Sequence, residues 1–78
     1  MYIVIELQTN GGVTGNFVFA FTDIADAYAK YYTILSVAAK SSVEVHAAII
    51  LDETGKMIAN EHFAHEKAVE ETEVEEVE

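Results

Sequence analysis

The sequence contains no cysteine and no arginine, and only four lysines stand against fourteen acidic residues. Without cysteine the chain forms neither disulfides nor a thiolate zinc site, and this absence favours a reducing, intracellular setting. Without arginine it lacks the usual bidentate ligand for phosphate and guanine, and its net charge of −10 repels polyanions. We therefore expect no direct binding to nucleic acid, and a protein partner with a basic surface instead.

Long apolar runs are also missing. No stretch approaches the roughly 18 consecutive apolar residues of a membrane helix, and the start, MYIVIELQ, has no basic segment of the kind that opens a signal peptide. We therefore expect a soluble, cytoplasmic protein without membrane contact. A chain of 78 residues is one domain, of a size at which a single core is barely sufficient and a partner surface often helps.

The strongest positive signal is a helical period over residues 23–40. Apolar residues recur on a stripe about 120° wide, and polar residues occupy the opposite side. Asp23 is placed to cap the amino end, and Lys40 to interact with the dipole at the carboxyl end. The stripe predicts a helix that packs one side on a sheet. Its members are Ile24, Ala27, Tyr28, Tyr31, Ile34, Leu35 and Ala38.

Four segments with the alternation of β-strands surround this helix. They are residues 2–8 and 16–21 before it, and residues 43–51 and 56–63 after it. Residues 9–15 hold three of the four glycines but no lysine, which predicts a long, mobile hairpin loop and not a phosphate-binding loop. Asp52 to Gly55 reads as a turn between the last two strands, with Asp first and Gly in a left-handed position.

Short connections and handedness arrange these elements as an α+β fold, ββαββ, with a four-stranded antiparallel sheet of order 2-1-3-4 and the helix on one face. The three Phe residues of the second strand, at 17, 19 and 21, are expected beneath the helix. The other face then has no helix over it unless the C-terminal segment folds back, and it favours homo-oligomerisation. The predicted oligomer face consists of Tyr2, Val4, Val18, Ala20, His46, Ala48 and Ile50.

Residues 64–78 are predicted to form an acidic tail behind a domain of residues 1–63. From Glu66 onward the net charge is −6, against −4 for all preceding residues. The composition favours a helix but its three valines make no stripe, so a disordered tail and a helical tail both stay open. Dense carboxylates can imitate a phosphate backbone and contact a basic partner. The candidate contact residues are Tyr32, Glu70, Glu71, Glu73, Glu75 and Glu76.

Two of the three histidines, His62 and His65, have a spacing that suits a metal site on one helical face. They fall at the end of a predicted strand, where that geometry fails, and no third ligand is fixed beside them. We therefore predict no metal site and no cofactor.

His46 is the remaining candidate for chemistry. Pairing of the first and third strands would bring Glu6 and Tyr2 beside His46 and Glu44, and such a cluster is typical of general acid–base catalysis. A polar patch at an oligomer seam explains the same residues. We predict that there is no catalytic residue and that the protein is not an enzyme.

Two stretches carry a resemblance to a known group of proteins. They are YIVIELQT at residues 2–9 and ADAYAKYYTILSVAAKSSVEVHAAIILDETGK at residues 25–56, followed by an aromatic residue and a histidine. The chain resembles small uncharacterised proteins encoded by phages and prophages of Gram-positive gut bacteria. The resemblance covers residues 1–65, is greatest in AAKSSVEVHAAIILDETG, and does not extend to the acidic tail.

The resemblance supplies no catalytic residues but implies roles in binding within the host-cell cytoplasm. The first is inhibition of a host defence protein through the acidic surface and oligomerisation. The alternatives are a virion or assembly component, and a sponge for a nucleotide signalling molecule.

Overall fold

The computed structural model describes residues 1–65, which form four strands and one helix. The elements are β1 Tyr2–Asn10, β2 Val13–Phe21, α1 Ile24–Ala38, β3 Val45–Asp52 and β4 Met57–Ala64. Neighbouring strands are all antiparallel, in the order β2-β1-β3-β4. The predicted α+β fold, strand order and single helix are confirmed. Of the predicted tail, only Ala64, the last residue of β4, and His65 lie within the described residues.

The connection between β1 and β2 is a two-residue turn at Gly11 and Gly12. Their φ angles are 61° and 81°, and positive values at both central residues are those of a type I′ turn, which suits the twist of a hairpin. Thr9 and Thr14 pair across the strands, with their hydroxyl oxygens 2.8 Å apart. The predicted long loop over residues 9–15 is therefore wrong, because the ladder continues up to the two glycines.

The helix α1 begins after Asp23, whose carboxylate accepts a hydrogen bond of 2.8 Å from the amide of Ala25. This confirms the predicted cap, which satisfies an amide that has no partner inside the helix. The helix ends at Ala38, two residues before Lys40. Its buried residues are Ala27, Tyr31, Ile34 and Ala38.

The helix covers the face of β1 and β3 opposite to the one predicted. Val4 lies opposite Phe19 on β2 and Ile50 on β3, and both Val4 and Ile50 are 0% exposed beneath α1. Residues predicted on the open side are therefore on the covered side, where they are unavailable as an oligomer face. The correction applies to Tyr2, Val4, His46, Ala48 and Ile50.

This error follows from taking each strand alone. The larger aliphatic side chains of β1, such as Ile5, favour its odd-numbered side as the inner side. The two-residue turn instead pairs Ile5 with Val18 and Val4 with Phe19, so that the even positions of β1 share a face with the phenylalanines of β2. Phe19 packs on the core as predicted, whereas Phe17 lies at the rim of the same face and stays exposed.

A β-bulge shapes β4. Ile50 pairs with Ala59 but Leu51 pairs with Met57, which leaves Ile58 as an extra residue. Both Ile58 and Ala59 pack against the core. The bulge therefore lets two consecutive residues of β4 support the helix-covered side.

Candidate functional site

The sheet face opposite α1 is apolar, and no element of residues 1–65 covers it. Its side chains alternate with those of the core along β1, β2 and β3, and none of them is buried. We call this set the uncovered face. It consists of Ile3, Ile5, Leu7, Val18, Ala20, Val45, Ala47, Ile49 and Leu51.

The centre of the uncovered face is a row of three β-branched residues. Ile5 lies between Val18 on β2 and Ile49 on β3 in the strand register. The corresponding positions on β4 are polar, with Asn60 opposite Ile49 and His62 on the same side of the sheet. An apolar centre beside a polar edge is the usual anatomy of a protein interface. Val18 and Ala20 are the two members that belonged to the predicted oligomer face.

A hydrogen-bonded pair, His46 with Glu6, lies on the other side of the same strands. Nε2 of His46 is 2.6 Å from Oε2 of Glu6, and the imidazole is 2% exposed. The same Glu6 oxygen accepts a hydrogen bond of 2.9 Å from the side-chain amide of Gln8. Within residues 1–65, Nδ1 of His46 has no hydrogen-bond partner. The pair therefore ties β1 to β3 but keeps the imidazole closed to solvent.

The predicted acid–base cluster forms only in part. Glu6 and His46 meet, but Glu44 lies at the hairpin, where its Oε1 accepts a hydrogen bond of 3.0 Å from the amide of Gly11. Tyr2 is opposite Asp52 at the far end of the sheet. The structure thus brings together two of the four candidates, and the imidazole of this pair is buried.

The two metal-ligand candidates are engaged differently from each other. The Nε2 of His65 donates a hydrogen bond of 2.7 Å to the carbonyl of Ala38, and its amide donates to the carbonyl of Glu44. His65 therefore binds the carboxyl end of α1, whereas His62 is exposed on β4. Among residues 1–65, no three His, Asp or Glu side chains are grouped so as to hold a metal ion.

Three tyrosines of α1 form a cluster that reaches the surface. Tyr31 is buried, and its ring lies edge-on to Tyr28 and Tyr32. Burial raises the pKa of Tyr31 above its ordinary value, and the charge of Glu61 adds to this effect. Tyr32 is 60% exposed and stacks on Tyr28 with the centroids 5.9 Å apart. Tyr32 is thus available to a partner, as an aromatic residue at an interface would be.

The remaining contact candidates of the acidic surface fall beyond the part of the chain that the structure describes. They are Glu70, Glu71, Glu73, Glu75 and Glu76.

Comparisons with known proteins leave the geometry to carry the functional argument. No protein-family model, curated protein or solved structure matches the chain. Within residues 1–65, no helix combines the length and the apolar character needed to cross a membrane.

Sequence reasoning missed most of the uncovered face, although a signal for it was present. A two-residue turn at Gly11 and Gly12 fixes the pairing of β1 with β2, and with it which side of β1 joins Phe19. Taking the glycine pair as the turn would have placed Ile5 on the open side.

Proposed function

We propose that this chain is a non-enzymatic binding protein and that the uncovered face is the surface through which it binds. The observation that carries the proposal is an apolar surface, three strands wide, with no charged side chain on that side of β1, β2 and β3. Proteins in water rarely leave such a patch exposed, and those that do generally use it for binding. Covering Ile5 and Ile49 would remove large aliphatic side chains from water, which is favourable.

The surroundings of His46 support a role without catalysis. A general base has to come within hydrogen-bond reach of a substrate proton, and this imidazole is buried with its Nε2 against Glu6. Its contact with Glu6 instead stabilises the pairing of β1 with β3. The proposal therefore assigns this pair to the fold and the uncovered face to function.

For the biological role we retain the phage-type inhibitor of a host defence protein, acting in the host cytoplasm. Its support is the net charge of −10 and the exposed ring of Tyr32. The phage origin is part of the proposal and comes from the sequence resemblance of residues 1–65. A host protein with a basic surface would then contact the exposed ring of Tyr32 together with acidic residues of the chain. The uncovered face has no charged side chain on β1 to β3, so we assign it to a different contact.

The alternative role of a virion or assembly subunit draws support from the uncovered face itself. Subunits of an assembly bury apolar surface against one another, and Ile5 and Ile49 provide such surface. A nucleotide sponge gains less, because this side of β1 to β3 has no cationic side chain to bind a phosphate group.

Site-specific photo-crosslinking in the cell that makes the full chain tests the binding role. A photoreactive amino acid replaces Ile49 in one variant, Tyr32 in a second, and the exposed hairpin residue Val13 in a matched control. We expect protein adducts from position 49 and none from position 13. Absence of adducts from position 49 would reject the uncovered face as a binding surface.

The Tyr32 variant tests the basic partner separately. We expect an adduct with a host protein that is lost when the lysate is irradiated at high salt, because salt screens contacts between exposed charges. The absence of an adduct from position 32, or an adduct whose yield does not change with salt, would reject the proposed contact with a basic partner. The result from position 49 tests the uncovered face independently.

A further inference from the structure

We infer that the uncovered face binds a second copy of this chain, so that two sheets pack face to face about a two-fold axis with the helices outside. This inference rests on the proposed function and names the partner for it. In such a dimer the same surface serves both protomers, which is the common arrangement of homodimers. The axis passes near Ile5 and Ile49, the central pair of the face.

The size of the face is sufficient for a stable dimer. The side of the sheet that carries the uncovered face includes β4 as its polar edge. Its four strands, about 4.8 Å apart and each about 24 Å long, give a flat area of roughly 450 Å². Two such areas in contact, together with the relief of their side chains, exceed the roughly 1,000 Å² that a specific interface buries. Facing sheets pack about 10 Å apart and interdigitate their side chains, as in a β-sandwich.

The distribution of charge favours a copy of the chain over a charged partner. Every acidic residue between 1 and 65 lies on the covered face, in α1 or in a connecting segment. These residues are Glu6, Asp23, Asp26, Glu44, Asp52, Glu53 and Glu61. Two uncovered faces therefore meet without bringing acids together, whereas a basic partner would find no counter-charge there.

The same distribution predicts how salt acts on the dimer. Each protomer carries a net charge of −10, so the two repel each other at long range even though their contact surfaces are apolar. Salt screens this repulsion. The dimer is therefore expected to become tighter as salt rises, which is the opposite of the expected behaviour of a basic partner.

The chain's own C-terminal segment is a poorer occupant. Residues 66–78 contain seven glutamates and only three valines. Laying this segment across the aliphatic side chains would bring carboxylates out of water with no cation on β1 to β3 to pair with them. The aliphatic side chains of a second uncovered face bring no charge into the contact, and so it is the better complement.

Sedimentation equilibrium of the purified full-length chain tests the inference. Three proteins are compared: the wild type, Ile49→Lys at the centre of the face, and Val37→Lys on the exposed side of α1 as the matched control. We expect dimers for the wild type and for Val37→Lys. For Ile49→Lys we expect the dissociation constant to rise at least about 100-fold, because the lysine enters the interface twice.

A milder variant covers the case in which Ile49→Lys fails to fold, as judged by circular dichroism. Ile49→Thr keeps a β-branched residue in the strand, and we expect it to weaken the dimer about tenfold. A wild type that stays monomeric from micromolar to millimolar concentration, or a dimer indifferent to both substitutions at Ile49, would overturn the inference.

Photo-crosslinking from position 49 separates failure of this inference from failure of the proposed function. An adduct of twice the chain mass supports the dimer. An adduct with another protein, or an internal adduct mapped to residues 66–78, overturns the dimer. The face would still be covered, but by a different occupant. No adduct of any kind overturns both.

Discussion

Ile5 on β1 and Ile49 on β3 are register partners at the centre of the sheet face that α1 leaves open. The neighbouring register pair, Glu6 with Ala48, points to the opposite side of the sheet, the side that the helix covers. The chain thus places a polar pair, Glu6 with His46, on its covered side and large aliphatic residues on its open side. This distribution is reasonable for a protein whose open side is buried by association.

Removal of the Glu6 carboxylate should destabilise the fold. Glu6→Ala leaves the His46 Nε2 buried without its partner, which should lower the free energy of unfolding by about 2–4 kcal/mol. Glu6→Gln keeps an acceptor and should cost less than half as much. Chemical denaturation measures both, with Glu53→Ala as the control, since Glu53 makes only an exposed contact with the terminal amine. Equal effects of Glu6→Ala and Glu53→Ala would contradict the role of the pair.

The hairpin turn gives a second prediction with a built-in control. Gly12 has a φ of 81°, where an L-residue is strained, so Gly12→Ala should lower stability by about 1–2 kcal/mol. Gly15 lies in β2 without a positive φ, and an added Cβ meets nothing within 4 Å. Gly15→Ala should therefore be neutral or stabilising. Thermal unfolding of the two variants measures the difference, and similar losses in both would argue against the type I′ turn.

The β3–β4 turn predicts a pH dependence. The hydroxyl of Thr54 holds the pKa of Asp52 below its usual 3.8, with backbone amides of Lys56 and Thr54 contributing. Because the folded pKa is lowered, the stabilisation is complete above pH 4 and is lost as the pH falls through the folded pKa. We expect Thr54→Val to return the pKa of Asp52 towards 3.8 in an NMR titration. An unchanged titration would show that the hydroxyl contact is absent in solution.

At high pH, Tyr31 should make the fold sensitive to base. Its pKa is raised above 10.0 by burial, so its contribution is complete below pH 10 and is lost as the pH rises through the folded pKa. Tyr31→Phe removes the titrating hydroxyl. The wild type should therefore lose stability relative to this variant between pH 9 and pH 11, as measured by denaturant midpoints. A constant difference over that range would contradict the raised pKa of Tyr31.

The elements of the fold could be predicted from the sequence, but the sides of the sheet could not be assigned from alternation. The helical period after Asp23 and the turn at Asp52 are local signals, and the structure confirms both. Alternation shows only which residues of a strand share a side. Which side meets the helix depends on the register with the neighbouring strand, which Gly11 and Gly12 set.

The pairing of Glu6 with His46 could be anticipated from the order of the strands, but its burial could not. Each residue alone is polar and favours the solvent side of a strand. They become favourable inside only as partners, because Nε2 of His46 and the Glu6 carboxylate satisfy each other and Gln8 adds a further hydrogen bond. The bulge in β4 opposite Leu51 could not be predicted from the sequence either, because β4 contains no glycine or proline that would indicate it.

The central claim is that the uncovered face is buried against a second copy of the chain in solution. The most direct test is an isotope-filtered NOE experiment on an equimolar mixture of methyl-labelled and unlabelled chains. We expect cross-chain NOEs from the methyl groups of Ile3, Ile5 and Ile49, and none from Ile34 or Ile50, which lie in the core. Absence of cross-chain NOEs from Ile5 and Ile49, with both methyls open to a soluble paramagnetic probe, would contradict the claim.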